Sequence, residues 1–343
     1  MLKLNFTGAA NVADFSAIDD SVRKVLLTII NGIVVLPNRI LVKLDANNDY
    51  FKTYHHPLGI IRITVEKAVG FAEESQTTTK KLFSKLTRAS PDCYAKVEVG
   101  AEAAWKTQTQ NNTTTPAWNE THDFVVTDFD QCITVDIQDH DVNSDDQVGL
   151  AVTTVKEILM AGGKQELSMT KKGEEKDGKV SLAAEFFHFG SSNESFSASA
   201  HTGDGKLCGL LTILVASVFG LKGQREALSP SVVITWGEKH RFQTAIKTDA
   251  PGTDINNPVF DQHFRIPVTA DMVGSGAENL RIVCMNKDQE IAAIDVPFAD
   301  VLNAPEMTLV DSFDVGDGTK VRASLCLRGV VAATTEDLPV REK

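Results

Sequence analysis

Four aspartates follow directly after a short apolar alternation near the middle of the chain. The alternation Ile133, Val135, Ile137 is the pattern of a half-buried strand, and after it come Asp139, Asp141, Asp145 and Asp146. Carboxylates this close repel one another and raise each other's pKa values, so a fold that keeps them together usually supplies a cation. Hard oxygen ligands select calcium or magnesium.

Two other interpretations of this acidic loop need weighing. A loop rich in Asp, Asn and Ser is often a solvated turn, and that alternative stays open on the residues alone. An EF-hand is excluded, because its sixth position would be Ser144 rather than Gly, its twelfth would be Leu150 rather than Glu, and a strand precedes it instead of a helix. A metal ion at this loop therefore needs further ligands from elsewhere in the chain.

The composition is that of a globular protein with two or three domains. The chain has 343 residues and a formal net charge of −12, which argues against general nucleic-acid binding. Its five cysteines are scattered singly, as free thiols in a reducing compartment would be. No apolar run reaches the length of a transmembrane helix.

The pattern along the chain predicts an all-β protein with a short α+β segment at its N-terminal end. Residues 1–45 read as strand, amphipathic helix and strand. Short strands with turn signals then predict an antiparallel sandwich over residues 57–190, and a Gly- and Ser-rich linker follows over 191–205. A second sandwich is predicted over 206–330 and a tail over 331–343.

The second sandwich is predicted because the pattern of the first starts again. The segment GIIRITVEKAVGF (59–71) matches GLLTILVASVFGL (209–221) position by position. Further on, Trp105 corresponds to Phe242 and Trp118 to Phe260. Two copies of one sandwich therefore follow each other in the chain.

These motifs resemble the tandem C2 domains of the extended synaptotagmin and tricalbin family. The resemblance rests on PLGIIRITVEKAVGF, DCYAKV, NNTTTPAWNETHDFVV and DHDVNSDDQVG, in that order in the first repeat. It implies two eight-stranded antiparallel β-sandwiches in tandem. Residues 1–45, with LNFTGAANVADF and VVLPNRILVKL, resemble the C-terminal end of the SMP lipid-binding domain that precedes the C2 domains in that family.

The resemblance implies a calcium site at one end of the first sandwich. The family's loops bring an aspartate before the DCYAKV strand, here Asp92, to the acidic loop, so the implied ligands are Asp92, Asp139, Asp141 and Asp146, with Asp145 as a spare or auxiliary ligand. Where the family has a further first-loop aspartate this chain has Ser75, with Glu74 beside it as an auxiliary ligand. Occupancy by two ions depends on that position.

A basic stretch in the long loop before Asp92 is a candidate membrane contact. Its apolar residues fall on one helical face and its cations around that face, as in a short interfacial helix: Lys80, Lys81, Leu82, Phe83, Lys85, Leu86 and Arg88. The alternative is a solvated helical turn whose apolar residues join the core. His140, between two predicted ligands, is expected to face solvent or a lipid headgroup.

The rest of the first repeat is acidic, with 14 Lys and Arg against 21 Asp and Glu over residues 58–190. Two bound calcium ions would offset four negative charges where the acids are concentrated. Calcium would then convert a tip that repels anionic lipid into one that attracts it.

The second repeat is expected to be independent of calcium. Its counterpart of the Asp92 motif reads LSPSVVI, and its third loop retains only Asp288 and Glu290. Its cations suggest either a basic face or a dispersed set of surface charges: Lys222, Arg225, Lys239, Arg241 and Lys247.

No catalytic motif accompanies the acidic loop, so an enzyme is not predicted. The sequence lacks G-x-S-x-G, a P-loop and H-E-x-x-H. The leading hypothesis is a peripheral membrane protein that docks through calcium on phosphatidylserine or phosphoinositides, in the cytoplasm at contacts between the endoplasmic reticulum and the plasma membrane. The alternatives are a calcium-independent C2 scaffold that mediates protein–protein interaction and, by family resemblance alone, a part of a lipid-transfer protein. The resemblance also suggests a homo- or hetero-oligomer with SMP-containing proteins as a partner.

Overall fold

The computed structural model describes residues 57–70, 90–140, 145–171, 174–200, 206–273 and 278–339. All of them belong to one compact unit, Lys43–Lys343. The segment 1–45, for which a strand, a helix and a strand are predicted, lies outside the described residues.

The first sandwich consists of two four-stranded antiparallel sheets. One has the order β4-β1-β8-β7 and the other the order β3-β2-β5-β6, and a single residue pair, Leu150 with Thr170, links β6 to β7. Alternate residues along most of β1 and β5 are buried between the sheets. The strands are β1 (Gly59–Val69), β2 (Cys93–Val99), β3 (Trp105–Lys106), β4 (Ala117–Val126), β5 (Cys132–Asp139), β6 (Asp146–Thr154), β7 (Lys164–Lys171) and β8 (Glu174–Gly190).

A short helix, α1 (Val155–Met160), connects β6 to β7 at the end of the first sandwich where β6 finishes. It begins at a capping box, in which the Thr154 hydroxyl accepts a hydrogen bond from the Glu157 backbone and the Glu157 carboxylate accepts one from the Thr154 backbone. Val155 and Ile158 of this helix are buried in the core.

The second sandwich repeats this plan. Its sheets have the orders β12-β9-β16-β15 and β11-β10-β13-β14. Three 3-10 turns, Arg225–Ala227, Ala270–Met272 and Pro305–Met307, and the helix α3 (Phe298–Asn303) lie in its connections. The strands are β9 (Leu207–Phe219), β10 (Pro230–Trp236), β11 (His240–Gln243), β12 (Val259–Thr269), β13 (Leu280–Asn286), β14 (Gln289–Val296), β15 (Thr308–Gly316) and β16 (Thr319–Ala332).

The two sandwiches share one sheet. The end of β8 pairs antiparallel with the end of β16, from Phe187 with Ala332 to Gly190 with Gly329, so the strand order β4-β1-β8-β16-β9-β12 runs through both sandwiches. We call the end of each sandwich where its first strand finishes and its second begins the tip, and the opposite end the base. Strands β8 and β16 each run from the tip of their own sandwich to its base. Because they pair antiparallel at their base ends, the two tips lie at opposite ends of the shared sheet.

Polar contacts reinforce this junction. Arg62 donates two hydrogen bonds to Asp123, at 2.8 and 2.9 Å, and the Leu207 backbone N–H of the second sandwich donates to the same carboxylate at 3.2 Å. Arg265 of β12 pairs with Glu102 of the first sandwich at 3.0 Å. Burial nevertheless raises the pKa of Glu102, since the loss of water outweighs the attraction of Arg265.

Two segments outside the predicted sandwiches take part in the fold. Within the predicted linker, residues Asn193–Ala200 form a helix, α2, whose Phe196 is buried in the core of the second sandwich. The glycines that face it, Gly209 and Gly329, have no room for a Cβ because Phe196 lies there. The sequence missed this helix, since one aromatic residue among serines and alanines gives no helical periodicity.

At the other end, β16 continues to Ala332, two residues beyond the predicted end of the second sandwich. Ala333 and Leu338, in the predicted tail, then pack against the core of the first sandwich. The last described residues therefore return to the first sandwich across the junction.

The predicted fold class, two antiparallel β-sandwiches in tandem, is confirmed. The five cysteines are free thiols. Burial raises the pKa of Cys208 and of Cys284 to about 11, so both stay protonated at neutral pH. Among the described helices, none has the length and apolar character that crossing a membrane requires.

Candidate functional site

Two of the predicted calcium-binding segments meet at the tip of the first sandwich. Strand β2 begins directly after Asp92, β5 ends at Asp139, and β6 begins at Asp146. In the sheet, Cys93 pairs with Asp139, and Asp139 pairs with Asp146. The register of three neighbouring strands thus brings the backbones of Asp92, Asp139 and Asp146 to one end of the sandwich.

Backbone hydrogen bonds fix the relative position of Asp92 and Asp139. The Asp92 N–H donates to Asp139 Oδ1 at 2.7 Å, and the His140 N–H donates to the Asp92 carbonyl at 2.8 Å. The Asn112 N–H donates to Asp92 Oδ1 at 2.6 Å. Each carboxylate thus has an oxygen that accepts a hydrogen bond from a backbone N–H.

The electrostatic effect of these two carboxylates is visible at the thiol between them. The pKa of Cys93 is raised to about 12, first by burial and then by the charges of Asp139 and Asp92. A bound cation would reverse the two charge effects. Beneath the pair, the Trp118 indole N–H donates to the Cys93 carbonyl at 3.4 Å, which anchors this end of β2 to β4.

Asp145, the predicted auxiliary ligand, contacts two side chains of its own domain. Tyr94 donates its hydroxyl to Asp145 Oδ2 at 2.6 Å, and His140 Nδ1 lies 3.0 Å from Asp145 Oδ1. Burial and the bond to Asp145 raise the pKa of Tyr94, so its hydroxyl remains a donor at neutral pH. His140 has a largely exposed side chain, 62% accessible.

The remaining predicted site residues lie outside the described part of the chain. They are Asp141, the auxiliary pair Glu74 and Ser75, and the membrane segment Lys80, Lys81, Leu82, Phe83, Lys85, Leu86 and Arg88. Within the described ranges, no three His, Cys, Asp or Glu side chains form a group that would hold a metal ion. A calcium site built on Asp92 and Asp139 therefore needs Asp141 or the first loop to complete it.

The second tip has the same backbone arrangement with neutral side chains. Ser229 precedes β10 as Asp92 precedes β2, and Asn286 ends β13 as Asp139 ends β5. The Ser229 N–H donates to Asn286 Oδ1 at 2.7 Å, and the Lys287 N–H donates to the Ser229 carbonyl at 2.9 Å. The third loop is a two-residue turn, Lys287 and Asp288.

The cations of the second sandwich do not form one face. Lys222 pairs with Asp317 at 2.5 Å and Arg225 pairs with Asp249 at 2.6 Å, both near the tip. Lys247 is buried, 5.8 Å from the centre of the Phe260 ring. The other two, Lys239 and Arg241, lie in and after the turn between β10 and β11 at the base. The dispersed alternative describes them better than a basic surface.

The family model for the C2 domain matches this chain twice, over residues 59–170 and 209–307. The chain belongs to the C2-domain family. Both matches start at the first residue of a sandwich or close to it, so each sandwich is a C2 domain.

The relatives of the tandem are extended synaptotagmins, as the sequence motifs predict. Extended synaptotagmin-1 of Pongo abelii is 24% identical over 95% of this chain, and extended synaptotagmin-3 of Homo sapiens is 33% identical over 43% of it. The chain spans 29% and 16% of the lengths of these two relatives.

Two solved structures have the same tandem fold. A calcium-bound pair of C2 domains from extended synaptotagmin 2 matches with a TM-score of 0.64 at 18% identity, covering 82% of this chain and all of that one. A structure of extended synaptotagmin 2 that contains the SMP domain and the two C2 domains after it matches with a TM-score of 0.63 at 20% identity, covering 97% of this chain and 70% of that one.

Sequence reasoning missed three residues that shape the first C2 tip: Tyr94, Lys106 and Asn112. Tyr94 belongs to the motif DCYAKV together with Asp92, so the sequence already placed it next to the predicted site. Lys106 lies in one of the short strands that the sequence predicts, AWKTQT, but its contact with Tyr94 depends on the pairing of β3 with β2 at Lys96. Asn112 contributes through its backbone N–H, for which residue type gives no signal.

Proposed function

We propose that the first C2 domain binds calcium at its tip and thereby docks the protein on anionic phospholipid membranes. The ligands are Asp92, Asp139, Asp141 and Asp146. Calcium takes six to eight oxygen ligands, and backbone carbonyls, water and lipid phosphate supply the remainder. The protein acts as a docking or tethering module and not as an enzyme.

The observation that carries this proposal is the hydrogen bond from the Asp92 N–H to Asp139 Oδ1, at 2.7 Å. It joins the strand that follows the first loop to the strand that precedes the third. Two acids 47 residues apart in sequence are held at one end of the fold, and their charges act together on the pKa of the Cys93 thiol. A divalent cation is the partner that suits such a pair.

The membrane partner follows from charge. The first C2 domain carries an excess of acids, while the segment 80–88 in its first loop carries four cations and no acid. Calcium offsets the acids at the tip, and the cations then attract phosphatidylserine or phosphoinositides.

A sedimentation assay with liposomes tests this function. Vesicles containing phosphatidylserine or a phosphoinositide are mixed with the full chain, in calcium or in chelator, and the pelleted fraction is measured. We expect binding in calcium only, and its loss in a variant combining Asp139→Asn and Asp141→Asn. Equal binding in chelator and by that variant would show that calcium has no part in docking.

A calcium-independent scaffold is the second candidate function. The neutral second tip favours it, since Asn286 and Ser229 stand where the first tip has two acids. It predicts that calcium leaves the thermal unfolding temperature of the protein unchanged, whereas the leading proposal predicts a rise with calcium concentration.

Resemblance to extended synaptotagmins supports a wider proposal for the cellular role. The protein is peripheral to membranes, acts in the cytoplasm at contacts between the endoplasmic reticulum and the plasma membrane, and assembles with SMP-containing proteins as a homo- or hetero-oligomer. Lipid transfer is an activity of that assembly. Imaging of the tagged chain before and after a rise in cytosolic calcium tests the location.

A further inference from the structure

Asp145 has both carboxylate oxygens committed to side chains of its own domain. The Tyr94 hydroxyl donates to Oδ2 at 2.6 Å, and His140 Nδ1 lies 3.0 Å from Oδ1. Hydrogen bonds from a neutral donor to an ionised acceptor are about twice as strong as those between neutral groups. Asp145 is therefore held in place by a side chain of β2 and by the residue that follows β5.

Tyr94 is itself fixed. Only 5% of its surface is exposed, and Lys106 places its Nζ 4.6 Å from the ring centre and 3.2 Å from the hydroxyl. Lys106 is held in turn by the pairing of β3 with β2 at Lys96. A chain of contacts thus runs from strand β3 through Tyr94 to Asp145, which directly precedes β6.

The position of Asp145 affects the proposed calcium site because the next residue, Asp146, begins β6 opposite Asp139. Successive residues of a strand direct their side chains to opposite faces. If Asp145 is fixed on one face by Tyr94, Asp146 is oriented to the other without any contribution from a metal ion. A site whose ligands are ordered beforehand binds more tightly, because binding does not have to order them.

We propose that Tyr94 is a positioning residue of the calcium site and that Asp145 is its attachment point on the loop, not a calcium ligand. This inference rests on the proposed calcium binding of the first C2 domain. The second C2 domain has Ser231 at the position of Tyr94, and its Ser231 Oγ accepts a hydrogen bond from Gln243 instead. The attachment is thus confined to the domain with the acidic loop.

The test is a double-mutant cycle on calcium affinity, measured by titration calorimetry of the full chain with calcium chloride and no lipid. Tyr94→Phe removes the hydroxyl and keeps the ring beneath Lys106. We expect it to weaken calcium binding roughly tenfold, the lower end of the effect of losing a group that orients a ligand. In a chain that also carries Asp145→Ala, the same substitution is expected to have no effect.

A matched control removes a different hydroxyl from the same domain. Thr64 shares a hydrogen bond of 2.8 Å with Thr121 in the middle of β1 and β4. Thr64→Val is expected to leave calcium affinity unchanged. Circular dichroism and thermal unfolding in chelator establish that Tyr94→Phe and Asp145→Ala are folded.

The outcomes separate the two proposals. If the unmodified chain takes up no calcium, the proposed function and this inference are both overturned. If it binds calcium but Tyr94→Phe has no effect, or weakens binding equally with Asp145 and with Ala at that position, only the inference is overturned. The same holds if Asp145→Ala lowers the number of bound ions, since Asp145 would then be a ligand.

Discussion

At the first tip a carboxylate accepts the backbone N–H that ties two loops together, and at the second tip an amide does so. The distances from Asp92 N to Asp139 Oδ1 and from Ser229 N to Asn286 Oδ1 are both 2.7 Å. Asn286 also donates from Nδ2 to the Ala227 carbonyl at 3.1 Å, a bond that a carboxylate cannot make. The second tip thus closes on itself with neutral groups.

The comparison shows that the backbone arrangement of the tip is the same with charged and with neutral side chains. The pairing of β2 with β5 recurs in that of β10 with β13, and the two hydrogen bonds from Asp92 N–H and His140 N–H recur from Ser229 N–H and Lys287 N–H, so none of these determines whether a metal ion is needed. What differs is a pair of side chains and the length of the third loop. The proposed dependence on calcium then belongs to a few residues on a shared backbone, and substitutions can test it in either direction.

The largest effect is expected when the first tip is given the amide of the second. Asp139→Asn keeps an oxygen for the Asp92 N–H and removes one negative charge from the site. We expect calcium affinity to fall by roughly a hundredfold, because ligand charge sets affinity in oxygen sites. Titration calorimetry measures it. An unchanged affinity would remove Asp139 from the ligand set.

The next largest effect is expected at the junction that holds the tips at opposite ends. Asp123→Ala removes the acceptor of two Arg62 hydrogen bonds and of the Leu207 N–H, and the side chains of Asp123 and Arg62 are only 5% and 19% exposed. We expect the free energy of unfolding to fall by about 2–3 kcal/mol, since hydrogen bonds to a charged, mostly buried group are lost. Urea unfolding measures it.

The control for the junction is an exposed ion pair in the same sheet. Lys179 and Glu166 lie 2.7 Å apart with about half of each side chain exposed, 50% and 52%. Lys179→Met is expected to leave the free energy of unfolding almost unchanged, as exposed ion pairs contribute little. Equal losses in the two variants would mean that the junction does not stabilise the tandem.

The reverse substitution, an acid for the amide at the second tip, should lower the free energy of unfolding by less. Asn286→Asp keeps the acceptor for the Ser229 N–H but places a carboxylate beside the Ala227 carbonyl, without the donor that the amide supplied. We expect a loss of about 1–2 kcal/mol in the free energy of unfolding and no gain of calcium binding. Asp288→Asn, in the adjoining turn, also changes the charge by one unit and should alter stability by less than about 0.5 kcal/mol.

The two sandwiches and the acidic loop could be predicted from the sequence, because the first produce a repeated strand pattern and the second a cluster of aspartates. The alternation of Ile133, Val135 and Ile137 places the loop at the end of a strand, and the repeat of 59–71 in 209–221 predicts two sandwiches. Asp92 entered the site through family resemblance, and its hydrogen bond to Asp139 supports the placement.

The junction and the Tyr94 contact could not be derived in this way. The pairing of β8 with β16 joins strands about 140 residues apart and depends on how two finished sandwiches meet, which no local pattern encodes. Phe196 was assigned to a linker because its neighbours are small and polar, although one buried aromatic side chain is enough to attach α2 to a core.

The smallest effect concerns a position where the domains differ away from the tips. His122 of β4 pairs with Ile63, and its counterpart in the second domain, Phe264, pairs with Ile213. The His122 ring stacks on Trp105 at 5.2 Å, and burial lowers its pKa below the ordinary value of 6.5. The folded state therefore favours the neutral ring, while the unfolded chain takes up a proton as pH falls through 6.5.

Stability of the first domain should consequently decline below that pH, by less than about 1 kcal/mol because the histidine is partly exposed. His122→Phe copies the second domain and removes the titrating group while keeping an aromatic ring against Trp105. Urea unfolding at about pH 7.5 and about pH 5.5 should show a smaller decline in this variant than in the unmodified chain, since the proton uptake by the unfolded ring is gone. An identical decline in the two proteins would assign the pH dependence to other groups.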